Sequence, residues 1–195
     1  MLDAAEELFV TRGYQSSSME VIARHAGYSR TAIYRQFPSR QRLLEALVQR
    51  TTQRHMSSIL GRVPADAGPV DLLVESLVIV STELPRDPLL ATISDQTADG
   101  TLASLIANDP GLTGLVEATV AEMISADAQR FRPGLRPHDL GRFIIATAMS
   151  MLTGIVPGLD DPGVARRYVE TFILPAFVAR PPDPSSVFRG SDDPR

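Results

Sequence analysis

Four side chains, Arg30, Thr31, Tyr34 and Arg35, carry the chemistry that is legible before any fold is considered. At roughly 100° per residue they share one broad face of a helix, with Ala32 and Ile33 opposite. Two guanidiniums, a hydroxyl and a phenol have nothing apolar to bury. Arginine forks onto the acceptor pair of guanine, and hydroxyls donate to phosphate oxygens, so the set suits the backbone and base edges of a duplex. A solvated helix face has the same composition, and the neighbouring residues must separate the two readings.

Those neighbours predict two short helices joined by a tight turn. Ser17-Ser18-Met19-Glu20 places Glu20 three residues after Ser17, the spacing of a capping box. Met19, Ile22, Ala23 and Ala26 follow as one apolar stripe, and Gly27 stands where the backbone turns left-handed to end the helix. Ser29 can cap the second helix. Pro38 must end it, because the residue before proline avoids the helical region.

The flanking segments LDAAEELFVTRGY and FPSRQRLLEALV complete a pattern that resembles the TetR family of bacterial transcriptional regulators, from Leu2 to about Val48. Ala5, Phe9, Gly13-Tyr14, Ile22-Ala23, Ala26-Gly27, Ser29, Tyr34, Phe37 and Leu43 fall where that pattern expects them. Arg40 replaces the family's usual lysine and Gln36 a frequent histidine. The resemblance implies that Tyr34, Arg40 and the Ser17/Ser18 cap hold phosphates while Arg30, Thr31 and Arg35 read bases. With Ser29, these residues make up the expected DNA-binding set.

The formal net charge is −4, but it is unevenly placed. From Arg12 to Arg54 eight arginines face only Glu20 and Glu45, a balance of +6, whereas the chain from His55 onward has a balance of −7. Such asymmetry is expected when one part of a chain meets nucleic acid and the other does not. Cysteine is absent, which excludes disulfides, thiolate metal sites and a cysteine nucleophile. His25, His55 and His138 lie far apart and none has a second ligand at metal-binding spacing. No phosphate loop, G-x-S-x-G elbow or paired catalytic carboxylate is present, so neither an enzyme, a cofactor nor a metal is expected. Asp3, Glu6 and Glu7 replace the basic start of a signal peptide, and a cytoplasmic protein is expected.

The rest of the chain reads as helices. Ser39 opens a rod of about 30 Å toward Leu60, with Leu43, Leu44, Leu47 and Val48 as its seam, placed to act as a lever. GRVPADAGP is a loop, and residues 70–84 form a helix apolar nearly all round, broken by Pro85 and Pro88. A short helical piece at 89–93 precedes the loop SDQTADGT; further helices are expected at 102–107, 110–131, 137–155 and from 162. Residues 143–159 carry no charge, but that stretch is short and diluted for a membrane span. It is expected to face its own domain on one side and a partner subunit on the other. Residues 180–195, rich in Pro, Ser, Asp and Gly, are expected to be a disordered tail.

The expected architecture is therefore all-α. A three-helix helix-turn-helix domain at 1–46 precedes a larger ligand-binding and dimerisation domain at 47–179. The resemblance implies a homodimeric repressor on palindromic double-stranded DNA, released by a small, largely apolar effector. Met123, Phe143, Met149 and Met151 are the expected ligand residues, and Thr147, Ile155, Tyr168 and Phe172 the expected dimer residues. An effector-free structural or division-control DNA-binding protein of the same fold is the competing reading.

Overall fold

The computed structural model describes residues 1–64, 67–98 and 101–188. Parts of the two expected loops (65–66 and 99–100) and the last seven residues of the expected tail (189–195) lie outside the described residues. The described residues form ten α-helices: α1 Leu2–Arg12, α2 Met19–His25, α3 Arg30–Gln36, α4 Arg40–Arg62, α5 Pro69–Thr82, α6 Pro88–Gln96, α7 Thr101–Ala107, α8 Pro110–Ala126, α9 Pro137–Leu152 and α10 Pro162–Tyr168. Among the described residues there is no β-strand, and Phe131 and Val178 form an isolated antiparallel bridge. The fold is all-α.

The chain forms two compact units that differ from the contiguous division at 46/47 expected from sequence. One comprises Met1–Met56 with Arg86–Asp109, and the other Ser57–Pro85 with Pro110–Arg195. In the first unit α6 packs against α1, adding Leu89, Leu90 and Ile93 to the buried set that includes Leu8, Phe9, Ile22, Ile33, Leu43 and Leu47. Apolar periodicity announced a helix near 89–93 without indicating its neighbour. The helix runs on to Gln96, three residues into the expected loop, and its end is held by Gln15. The Gln15 side chain donates to the Gln96 carbonyl (2.7 Å), and its amide donates to Gln96 Oε1 (3.2 Å). Gly13 ends α1 at φ 87°, and a Cβ there would lie 2.8 Å from Gln96 Oε1. The backbone angle favours glycine here, and a side chain would also push the Gln96 amide group aside.

Asp87 fixes the other end of α6. Its Oδ1 accepts from the amides of Leu89 (2.9 Å) and Leu90 (3.1 Å), and its Oδ2 accepts from His55 Nε2 of α4 (2.8 Å). Burial opposes ionisation of this carboxyl. The hydrogen bond and charge of His55 and the two amides outweigh it and hold the carboxyl below its ordinary value. Nearby, Arg50 and Arg54 of α4 pair with Glu6 of α1 at 2.5 and 3.0 Å.

In the second unit, Leu73, Val74, Leu77 and Val78 of α5 meet Val120 and Met123 of α8, Ile144 and Met151 of α9, and Val169 and Ile173 beyond α10. The segment Val169–Ile173 widens to a π-helix and Leu174–Ala176 tightens to a 3₁₀ turn. Pro175 accounts for the change, since it lacks an N–H and its ring crowds the carbonyl four residues back. Of the expected tail, residues 185–188 touch this segment. Arg167 Nε donates to the Ser186 carbonyl (3.1 Å), the Ser185 amide donates to Thr171 Oγ1 (3.3 Å), and Val187 is buried. Low average hydropathy concealed the two apolar residues, Val187 and Phe188, that hold it.

Candidate nucleic-acid interface

The interface begins with its supports. Ile33, fully buried, anchors the back of α3, so the opposite face stands outward. Ser29 caps the helix by accepting from the Ala32 amide (3.2 Å). The chain leaves at Phe37, which is buried and extended ahead of Pro38. Gly27 takes φ 72° in the turn between α2 and α3. Arg30, Thr31, Tyr34 and Arg35 are all exposed, as the helical spacing predicts.

The start of α2 differs from the expected capping box. Ser18, not Ser17, is the cap: its Oγ accepts from the Val21 amide at 3.3 Å. Ser17 is 0% exposed, and its hydroxyl lies 2.9 Å from the Gly13 carbonyl and 3.2 Å from the Leu8 carbonyl, to which it donates. It fastens α1 to α2 and cannot reach a phosphate. With the cap displaced by one residue, Glu20 is freed from the box and turns to α3. Its Oε1 accepts from Tyr34 Oη (3.2 Å) and pairs with Arg30 Nε (3.3 Å). Its own backbone amide holds the carboxyl below the ordinary value, against desolvation, with further help from Tyr34, Arg30 and Ser18.

Arg40 also differs from expectation. Its guanidinium lies 4.0 Å over the Tyr14 ring and donates to the Tyr14 carbonyl. That side chain braces the end of α1, which is why a planar arginine is suited to this place. Glu20, read from sequence as part of a cap, instead touches two residues of the reading face.

Residues 1–47 match the family described as bacterial regulatory proteins, tetR family. Over most of the chain, 181 residues are 30% identical to an HTH-type transcriptional regulator of Mycobacterium tuberculosis, spanning 90% of this chain and 82% of that protein. The chain belongs to the TetR family. It is a DNA-binding transcriptional regulator whose α2–α3 pair is the helix-turn-helix. The TetR fold extends through the second unit. The structure of NalD, the secondary repressor of the MexAB-OprM multidrug efflux pump in Pseudomonas aeruginosa, aligns with TM-score 0.61 at 22% identity, covering 91% of this chain and 94% of that one. FadR of Bacillus subtilis, solved in complex with stearoyl-CoA, aligns with TM-score 0.59 at 17% identity, covering 86% and 95%.

Two of the four residues expected at the ligand site, Met123 and Met151, share one buried cluster, and the other two lie outside it. Met123 and Met151 are buried in the core of the second unit, Met149 is half-buried, and Phe143 is 39% exposed. Phe143 corrects the expectation because it precedes Ile144, and a step of one residue carries it off the face that Leu140, Ile144 and Met151 turn inward. Of the expected dimer residues, Ile155 and Phe172 stand exposed, Thr147 and Tyr168 are half-buried, and the Tyr168 and Phe172 rings meet edge to face at 5.5 Å. No described helix is long and apolar enough to cross a membrane.

Proposed function

We propose that this regulator is a cytoplasmic repressor that binds a palindromic operator as a homodimer and is released by a small, largely apolar ligand. The observation that carries the DNA reading is the outward face of α3, where Arg30, Thr31, Tyr34 and Arg35 surround no apolar residue while Ile33 holds the helix from behind. In the proposal Tyr34 and the exposed Ser18 and Ser29 meet the phosphates. Arg30, Thr31 and Arg35 meet base edges in the major groove. One such reader offers few contacts, and a two-fold pair reads two half-sites about 34 Å apart. The apolar residues Ile155 and Phe172, exposed in the single chain, support a self-complementary face on the second unit.

For the effector, support comes from the methionine-bearing core of the second unit and from the FadR complex with stearoyl-CoA. Helix α4, continuous from Arg40 to Arg62, is the proposed lever: a ligand favouring one setting of it moves the equilibrium only by its differential affinity. The test is selection of bound duplexes from a random pool, followed by binding at several salt concentrations. Inverted repeats and a log–log salt slope of about −0.9 per phosphate neutralised are expected. Enrichment of no palindrome, or binding indifferent to salt, refutes the proposal. Acyl-CoA and fatty-acid probes added to the complex test release, and no release by any probe that stabilises the protein refutes the lever.

A further inference from the structure

A face that must approach phosphates carries one carboxylate at its centre. Between Arg12 and Arg54 the acids are Glu20 and Glu45. Glu45 is engaged along its own helix by Gln41 and Arg42. Glu20 instead reaches from the first turn of α2 to α3, where a single oxygen, Oε1, receives the Tyr34 hydroxyl at 3.2 Å and faces Arg30 Nε at 3.3 Å. The Arg30 guanidinium lies 5.6 Å from the centre of the Tyr34 ring, so the three side chains close a triangle on the surface. Two of the groups assigned to DNA are thus already held by an anion that belongs to the protein.

We propose that Glu20 is a specificity-determining residue that directs Arg30 to a G·C base pair and lowers affinity for duplexes lacking one there. The inference rests on the DNA-binding reading given above. Two physical effects combine in it. A phosphate approaching Tyr34 meets a carboxylate and must displace it from the phenol and the guanidinium, which weakens the contacts that every sequence offers alike. The major-groove edge of a G·C pair supplies replacements for both partners at once. Guanine O6 and N7 accept from an arginine fork, and the cytosine 4-amino group donates to a carboxylate. An arginine beside an acid presents the complementary pattern, whereas an arginine alone is drawn to phosphate anywhere. The triangle is open to water, with Glu20 and Arg30 side chains 45% and 74% exposed, so the restraint is modest. Exposed pairs of this kind correspond to roughly two- to fivefold in an equilibrium, and the factor is squared in a two-fold pair of readers.

The experiment uses the full chain, a random pool, the duplex enriched by the wild type, and a scrambled duplex of equal length. Wild type is expected to enrich G·C at one symmetry-related pair of positions. Glu20→Gln keeps the shape and the acceptor for Tyr34 but removes the charge. It should bind scrambled DNA about two- to fivefold tighter per reader, relax the G·C preference at that position, and steepen the salt slope by about 0.9 for each arginine released to phosphate. Glu20→Asp keeps the charge but is a methylene too short for Arg30 and Tyr34. It should relax the base preference while binding scrambled DNA no more tightly than wild type. Retention of the preference by both variants, or a uniform loss on all sequences, overturns the assignment to Glu20. A wild type that enriches no duplex overturns the DNA reading itself, which separates the two failures.

Discussion

Replacing Asp87 separates its cap of α6 from the contacts that its Oδ2 makes with His55 and Arg54 of α4. Asp87→Ala removes the cap of α6, worth about 1 kcal/mol with a range of roughly 0.5–2. It also leaves the half-buried His55 ring without the carboxylate 2.8 Å away, a loss of roughly 1–3 kcal/mol for a stranded polar group. The sum is about 1.5–5 kcal/mol. Asp87→Asn keeps an oxygen for the Leu89 and Leu90 amides, and asparagine caps about as well as aspartate. Its loss should therefore stay near the His55 contribution alone, roughly 1–3 kcal/mol, and below that of Asp87→Ala by about the 1 kcal/mol of the cap. Urea unfolding followed by circular dichroism measures both, and hydrogen exchange at the Leu89 and Leu90 amides reports the cap directly. The sign of the pH effect follows from the lowered carboxyl. The stabilisation is complete above the unfolded-state value of about 3.9 and is lost as pH falls through the folded-state value below it. The gap between wild type and Asp87→Ala should then narrow only in strong acid. Equal losses from both substitutions, or a loss from Asp87→Ala under about 0.5 kcal/mol, would refute the reasoning, since the smallest cap effect is of that size.

Three further outcomes are expected. Ser17→Ala should lower stability by about 1 kcal/mol in urea unfolding and leave operator affinity of the folded protein unchanged, because its hydroxyl is turned inward to Gly13 and Leu8. Arg30→Ala should lose roughly 1–3 kcal/mol on the selected duplex and relax one base position, while Tyr34→Phe should weaken all sequences about equally; matched, uniform losses in competition assays would reassign Arg30 to the backbone. Phe172→Glu, at a side chain 54% exposed, should give a folded monomer by sedimentation, and a persistent dimer would move the interface elsewhere.

Much of the reader was legible because its signals are local. Ser29, Gly27 and Pro38 act on the backbone within a turn of their own positions, and Ile33 opposite the polar face follows from helical periodicity. The places that failed depend on a shift of one residue or on a distant partner. Ser17 and Ser18 are chemically alike, and only the path of α1 decides which is buried and which caps. Arg40 looked like a charge for DNA because the Tyr14 ring that receives it lies twenty-six positions earlier. Phe143 and Ile144 are equally apolar, and the direction of one helix face separates them. Composition averaged over 180–195 hid a docked stretch because Val187 and Phe188 are few among polar neighbours.

The discontinuous makeup of the first unit imposes an order of events on the newborn chain. Its first fifty-six residues emerge from the ribosome before the Arg86–Asp109 piece, whose helix α6 packs against α1. At about 5–20 residues per second, that interval lasts roughly three to ten seconds. Throughout it the side of α1 that will meet α6 has no cover, and Gln15 has no Gln96 to hold. The DNA reader is thus translated ahead of a helix that completes its buried set, and a message that pauses before residue 96 would leave the α6-facing side of α1 open for the length of the pause.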